Sequence, residues 1–148
     1  PFFLREADPA VIDELSSPAY QERVQNSRTA PIYKEALQRA KTNLKSLADA
    51  GVGIAMGTDT GPAGRFQGFF EHKELELMVE AGLTPLQTIV ASTGAAARCM
   101  QIDDNLGSLS PGKWADFVVL GANPLDDIRN TREIESVWIR GNQVPGIE

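Results

Sequence analysis

Apolar side chains recur at Ala36, Leu37, Ala40, Leu44, Leu47 and Ala48, the three-and-four spacing of an amphipathic helix, with lysines and glutamine on the other face. This pattern predicts a helix over 32–50, stopped by Gly51. The periodicity then disappears. Val52-Gly53-Ile54-Ala55-Met56 is apolar without alternation, which predicts a strand buried on both faces, as in a parallel sheet. Gly57-Thr58-Asp59-Thr60-Gly61 follows directly. One carboxylate is therefore expected on a glycine-rich turn at the C-terminal end of a strand, the edge where α/β proteins hold ligands and metals.

Capping signals place the other elements. Asp8-Pro9-Ala10 predicts an N-cap followed by proline at the first helical position, opening a short helix through Leu15. Ser17-Pro18 repeats the signal for a second short helix over Tyr20 to Val24. A surface loop with helical turns is the alternative for both. The stretch Gly57–Gly68 holds four glycines and Pro62, too many for regular structure. A helix is expected from about Glu71 to Ala81, closed by Gly82. Thr84-Pro85 opens another through Ala91, and Thr93 or Gly94 begins a short one ending near Met100. After Gly107 the pattern turns to β. Ala115–Leu120 reads as a strand, and Val137–Arg140 with Gln143-Val144 as a hairpin turning at Gly141-Asn142. Trp114 and Trp138 fall in this tail as core or interface anchors.

Composition narrows the class. The 148 residues are 42% hydrophobic and 23% charged, ordinary for a soluble globular chain and enough for one domain with a core. The net charge of -6 is spread without a basic stripe, which argues against a nucleic-acid partner. No apolar run approaches a membrane span. The single Cys99 excludes an internal disulfide and a cysteine zinc cluster, and fits a reducing, cytoplasmic setting. The chain opens on Pro1 rather than Met, so further sequence, with any targeting segment, is expected upstream.

Asp59 is the leading candidate for chemistry. A strand-end carboxylate can ligate a metal, act as a general base, accept a phosphoryl group, or only cap its own turn. There is no Gly-Lys-Ser/Thr phosphate loop, no GxGxxG, and no acidic cluster of the kind a phosphoacceptor domain carries. Arg65, in the glycine-rich loop, is placed to meet a substrate carboxylate or to be solvated. His72 falls near a helix N-terminus, where its cationic form is disfavoured; it reads either as a site residue or as a packed histidine. Glu71, Glu74, Glu76 and Glu80 read as a solvated helix face.

Gly57-Thr58-Asp59-Thr60-Gly61, the run His72-Lys-Glu-Leu-Glu-Leu-Met-Val-Glu-Ala-Gly-Leu-Thr-Pro-Leu-Gln, and Ala91-Ser-Thr-Gly-Ala-Ala-Ala-Arg together resemble the C-terminal third of the amidohydrolase superfamily. Leu106-Gly-Ser-Leu-Ser-Pro-Gly-Lys-Trp-Ala-Asp-Phe-Val-Val-Leu and Asn123-Pro-Leu extend the resemblance, which covers roughly residues 35–144 and is nearest to the imidazolonepropionase-like and Xaa-Pro dipeptidase-like branch. It implies an α/β fold, the part of a (β/α)8 TIM-type barrel around strand 8, plus strands of a small β-sandwich. Residues 1–105 would be the barrel part and 106–148 the sandwich strands. It further implies a metal-dependent hydrolase of amide, peptide or cyclic amide bonds, with zinc the foremost divalent metal and a small-molecule or dipeptide-like substrate. Asp59 matches the aspartate that binds the metal and takes a proton from the attacking water. Thr60 and Gly61 would line the site, and His72 matches a histidine at the head of the following helix; Arg65, from its place in the loop rather than from the resemblance, is expected beside the substrate.

The family's His-x-His pair after strand 1, its strand 4 ligand, and the histidines of strands 5 and 6 have no counterparts here, and a full barrel needs about 250 residues. The chain therefore reads as a C-terminal portion, inactive alone. The rival reading is a non-catalytic α/β binding or assembly module with Asp59 as a structural cap. On the first reading the apolar strand and helix stripe lack their barrel neighbours, so the purified chain should self-associate or require the remainder of the barrel. Sedimentation at micromolar concentration checks this; a cooperative, well-folded monomer would favour the rival.

Overall fold

A computed structural model describes residues 7–61 and 64–146. The chain begins with two short helices, α1 (Pro9–Ser16) and α2 (Pro18–Gln25). Each starts as its capping residues require: Asp8 accepts from the Ala10 N–H, and Ser17 from the Tyr20 N–H. The long helix α3 (Ala30–Asp49) follows and ends at Gly51 in the left-handed region, φ 76°. Four residues of its tail and of the following segment, Leu44, Ala48, Ile54 and Met56, pack on a core of Met78, Leu83 and Ala91. Leu37 and Leu47, on the same predicted stripe, remain exposed.

Residues 52–61 depart from expectation. The segment forms no strand, and it is not buried on both faces. Ile54, Met56, Thr58 and Thr60 face inward, while Gly53, Ala55, Gly57, Asp59 and Gly61 are exposed. The physical reason is the lack of a pairing edge. The described strands lie elsewhere, so this backbone is tied to helices: the Val52 N–H donates to Leu47 O and the Met56 N–H to Ala91 O, both at 3.0 Å.

Helix α4 (Phe69–Glu80) carries Leu75 and Met78 into the core. Thr84 and Gln87 form a reciprocal capping box that opens α5 (Pro85–Ser92), and α6 (Gly94–Cys99) follows. The loop after α6 presses closely on it: a Cβ at Gly107 would lie 2.5 Å from the Ala97 Cβ, and its φ of 85° also favours glycine. The β tail is one antiparallel sheet ordered β1 (Phe117–Leu120), β2 (Ile134–Ile139) and β3 (Asn142–Gln143). Phe117 pairs with Trp138 and the two rings stack at 5.6 Å. The hairpin turns at Arg140-Gly141, one residue before the expected pair, with φ of 50° and 76°. Both positive values suit a two-residue hairpin turn. Arg140 holds this conformation because its N–H reaches Asp116 Oδ1 and its guanidinium covers the Trp114 ring at 4.3 Å. A 3₁₀ turn, Ile128–Arg132, precedes β2 and had no clear signature in the chain.

Among the described residues no helix is long and apolar enough to cross a membrane. Met78 is 2% exposed at the centre of the core. Met78→Ala should lower unfolding free energy by about 2–5 kcal/mol, measured by urea titration. A change under about 1 kcal/mol would show that the cluster is not what holds α3, α4 and α5 together.

Candidate functional site

The turn at Asp59 is built from alternation. Thr58 and Thr60 point inward to the first turn of α4, where both hydroxyls donate to Glu71 Oε1, at 3.0 and 3.1 Å. The other Glu71 oxygen accepts the Gly68 N–H and caps the helix. Between the threonines, Asp59 adopts φ 51° and faces the opposite way, its side chain 92% exposed. A non-glycine residue in this region carries strain of about 1 kcal/mol or more, so its neighbours must hold it there. Arg65 reaches back to Asp59, with Nη1 3.0 Å from Oδ2 and 3.1 Å from its carbonyl oxygen. Thr60 and Gly61 complete the turn; Pro62, expected in the same loop, lies outside the described residues.

His72 is directed elsewhere. Its Nδ1 lies 2.9 Å from Thr131 Oγ1, on the 3₁₀ turn. The Thr131 hydroxyl donates to Ile128 O, so it receives a proton from the ring, which places the imidazole hydrogen on Nδ1. Burial pushes the His72 pKa below its ordinary value, and the nearby Arg132 cation adds to the effect against the opposing pull of Glu71 and Glu76. His72 also lines an open, mostly apolar cleft of about 950 Å³ between α5, α6 and the sheet, walled by Ala97, Met100, Leu106, Phe117 and Trp138. Asp59, Thr60, Gly61 and Arg65 do not line that cleft. The expected site residues thus form one group around Asp59, with His72 in another setting.

Glu71, Glu74 and Glu76 are half-buried, correcting the expectation of a solvated face, while Glu80 is exposed as expected. Burial raises the Glu71 pKa, but its own backbone N–H, the two threonine hydroxyls and the Gly68 N–H outweigh this, leaving it below the ordinary value. Glu76 pairs with Arg132 at 2.6 Å and with Lys73 at 3.2 Å. The Arg132 guanidinium also lies over the Phe69 ring. Glu80 pairs with Lys41 of α3 at 2.6 Å. Burial raises the pKa of Glu74. The signal for this was present in the chain: Glu71 follows Gly68 by three residues, the spacing at which an acid caps a helix start. The long-range partners Thr58, Thr60 and Arg132 had no local signature.

Among the described residues no three His, Cys, Asp or Glu side chains stand together as a metal site. A catalytic zinc centre takes three protein ligands. The side chains present therefore do not form a metal centre by themselves; Asp59 could supply one carboxylate.

A family model described as the amidohydrolase family matches residues 14–144. The ochratoxinase of Aspergillus niger is 39% identical over 102 residues, covering 66% of this chain and 20% of the relative. The imidazolonepropionase of Deinococcus deserti is 36% identical over 104 residues, covering 68% of this chain and 26% of the relative. Among solved structures, a putative prolidase from Bifidobacterium longum is 37% identical, with a TM-score of 0.67 over 72% of this chain and 26% of its own. The chain thus spans about a fifth to a quarter of the length of these relatives.

The chain has one histidine, so His72 titrates without a second imidazole to obscure it. In the unfolded chain it takes up a proton near pH 6.5, before the folded form does, so acid favours unfolding. Stability should be full above that value and fall as pH drops below it. Melting temperature should decline between about pH 7.5 and 5.5, and His72→Asn, which keeps a donor toward Thr131, should flatten the decline. An unchanged slope would assign the acid sensitivity to other groups.

Proposed function

The chain belongs to the amidohydrolase family, and on that premise we propose that it carries the Asp59 corner of the active site of a metal-dependent hydrolase acting on C–N bonds. Enzymes of this family are generally metal-dependent. Zinc is the metal we favour, with Asp59 as one ligand and the others drawn from outside the described residues. The observation that carries the reading is the presentation of Asp59. Its carboxylate is turned outward from a strained backbone position, between two side chains anchored to α4.

In this reading Asp59 accepts a proton from the attacking water and returns it to the leaving nitrogen, so the C–N bond breaks as a C–O bond forms. Arg65 would meet a carboxylate on a small-molecule or dipeptide-like substrate, exchanging its contact with Asp59 for the ligand. Thr60 and Gly61 would form the wall beside it. The Thr131 hydrogen bond of His72 supports a role in holding α4 on the 3₁₀ turn over direct contact with substrate. The names of relatives, an ochratoxinase, an imidazolonepropionase and an adenine deaminase, support C–N chemistry as a class and leave the substrate open. We also carry forward residues 1–105 as a barrel portion and 106–148 as sandwich strands. The cytoplasm is the proposed location.

The alternative, a non-catalytic module in which Asp59 is a structural residue, draws support from the Asp59–Arg65 ion pair. The two separate in the active enzyme that contains this chain, assayed with dipeptides, N-acyl amino acids and cyclic amides. Asp59→Asn should lower kcat by about 10²–10⁴-fold with little change in melting temperature. Near-wild-type kcat would assign Asp59 to the turn.

A further inference from the structure

We infer that Glu71 is a positioning residue for Asp59, acting through the two threonines that flank it. The inference rests on the reading of Asp59 as the reacting carboxylate. Thr58 and Thr60 are half-buried, and Asp59 between them is exposed. Both threonine hydroxyls meet one oxygen, Glu71 Oε1. The hydroxyls also lie 3.2 Å from each other, so the three oxygens close a triangle beneath Asp59. With both neighbours held from below, Asp59 is left one outward direction, at φ 51°.

The other side of the turn offers less restraint. Asp59 is exposed, and its partner Arg65 is itself 47% exposed. An exposed ion pair holds side chains weakly. Glu71 is better placed, because its second oxygen accepts the Gly68 N–H at the start of α4. The carboxylate thus joins the turn to the start of a helix that places Leu75 and Met78 in the core. Only an ionised carboxylate accepts all three of these bonds together with the one from its own backbone N–H.

The test uses nuclear magnetic resonance of the full chain with three variants. Glu71→Ala removes the anchor. The double variant Thr58→Val, Thr60→Val removes the donors and keeps the Gly68 cap, so it stands even if Glu71→Ala fails to fold. Glu71→Gln keeps one oxygen for both hydroxyls and sets an amide nitrogen against Gly68. In the alanine and double-valine variants, residues 58–60 should lose their {1H}–15N heteronuclear NOE and shift toward unstructured values, while Trp138 is unmoved. Adding Glu71→Ala to the double-valine variant should change residues 58–60 no further, and Glu71→Gln should fall between. In the active enzyme Glu71→Ala and Glu71→Gln should lower kcat about tenfold or more with KM little changed. Unchanged Asp59 signals in both the alanine and double-valine variants would overturn the inference. Loosened residues 58–60 with full activity, also in Asp59→Asn, would support the hold of Glu71 on the turn and overturn the reaction assigned to Asp59.

Discussion

One constraint on helix α4 governs the rest of the molecule: a carboxylate drawn out of water is stabilised only by partners that reach it. Glu71 finds the threonines of the Asp59 turn and Glu76 finds Arg132, while Glu80 stays exposed beside Lys41. Each partner comes from a different part of the chain. Satisfying Glu71 and Glu76 therefore ties the candidate turn and the 3₁₀ turn before the sheet to one helix. Leu75 and Met78, on the buried side of the same helix, supply the apolar part of that attachment.

This arrangement explains why the Asp59 turn is ordered without a sheet around it. A pairing edge would hold it through backbone hydrogen bonds, as in an ordinary barrel strand. Here the Met56 N–H bond to Ala91 O and the threonine–glutamate contacts carry that part. The exposed side of the segment consists of small residues and Asp59, so little apolar surface is left uncovered apart from Val52. The cleft lined by His72 is a separate feature. Its walls are largely apolar and lie between α6 and the sheet, with the His72–Thr131 bond at one side.

The helices were legible because their ends are local. Asp8-Pro9, Ser17-Pro18, Thr84-Pro85 and Gly51 place their boundaries within a residue or two, since a cap is satisfied by atoms two or three residues away. The strand Phe117–Leu120 was legible from its β-branched and aromatic run. The resemblance to amidohydrolases was legible from motifs distributed over most of the chain, and the family match bears it out. The location of Asp59 on a turn was likewise written in its glycines.

Other features depend on residues far apart in the chain, and no local pattern carries them. Whether Val52–Met56 forms a strand depends on a neighbour to pair with, and apolarity alone does not provide one. The shift of the hairpin turn to Arg140-Gly141 depends on Asp116 and Trp114, more than twenty residues earlier. The conversion of Glu71 and Glu76 from expected surface acids to half-buried anchors depends on Thr58, Thr60 and Arg132. A charged side chain has the same local signature in solvent or in a hydrogen-bonded cavity; only the fold determines which donors reach it. The sequence by itself thus determined the elements, the family and the candidate carboxylate. Tertiary structure decided what holds that carboxylate in place, because its supports are hydrogen bonds between segments that the chain keeps more than ten residues apart.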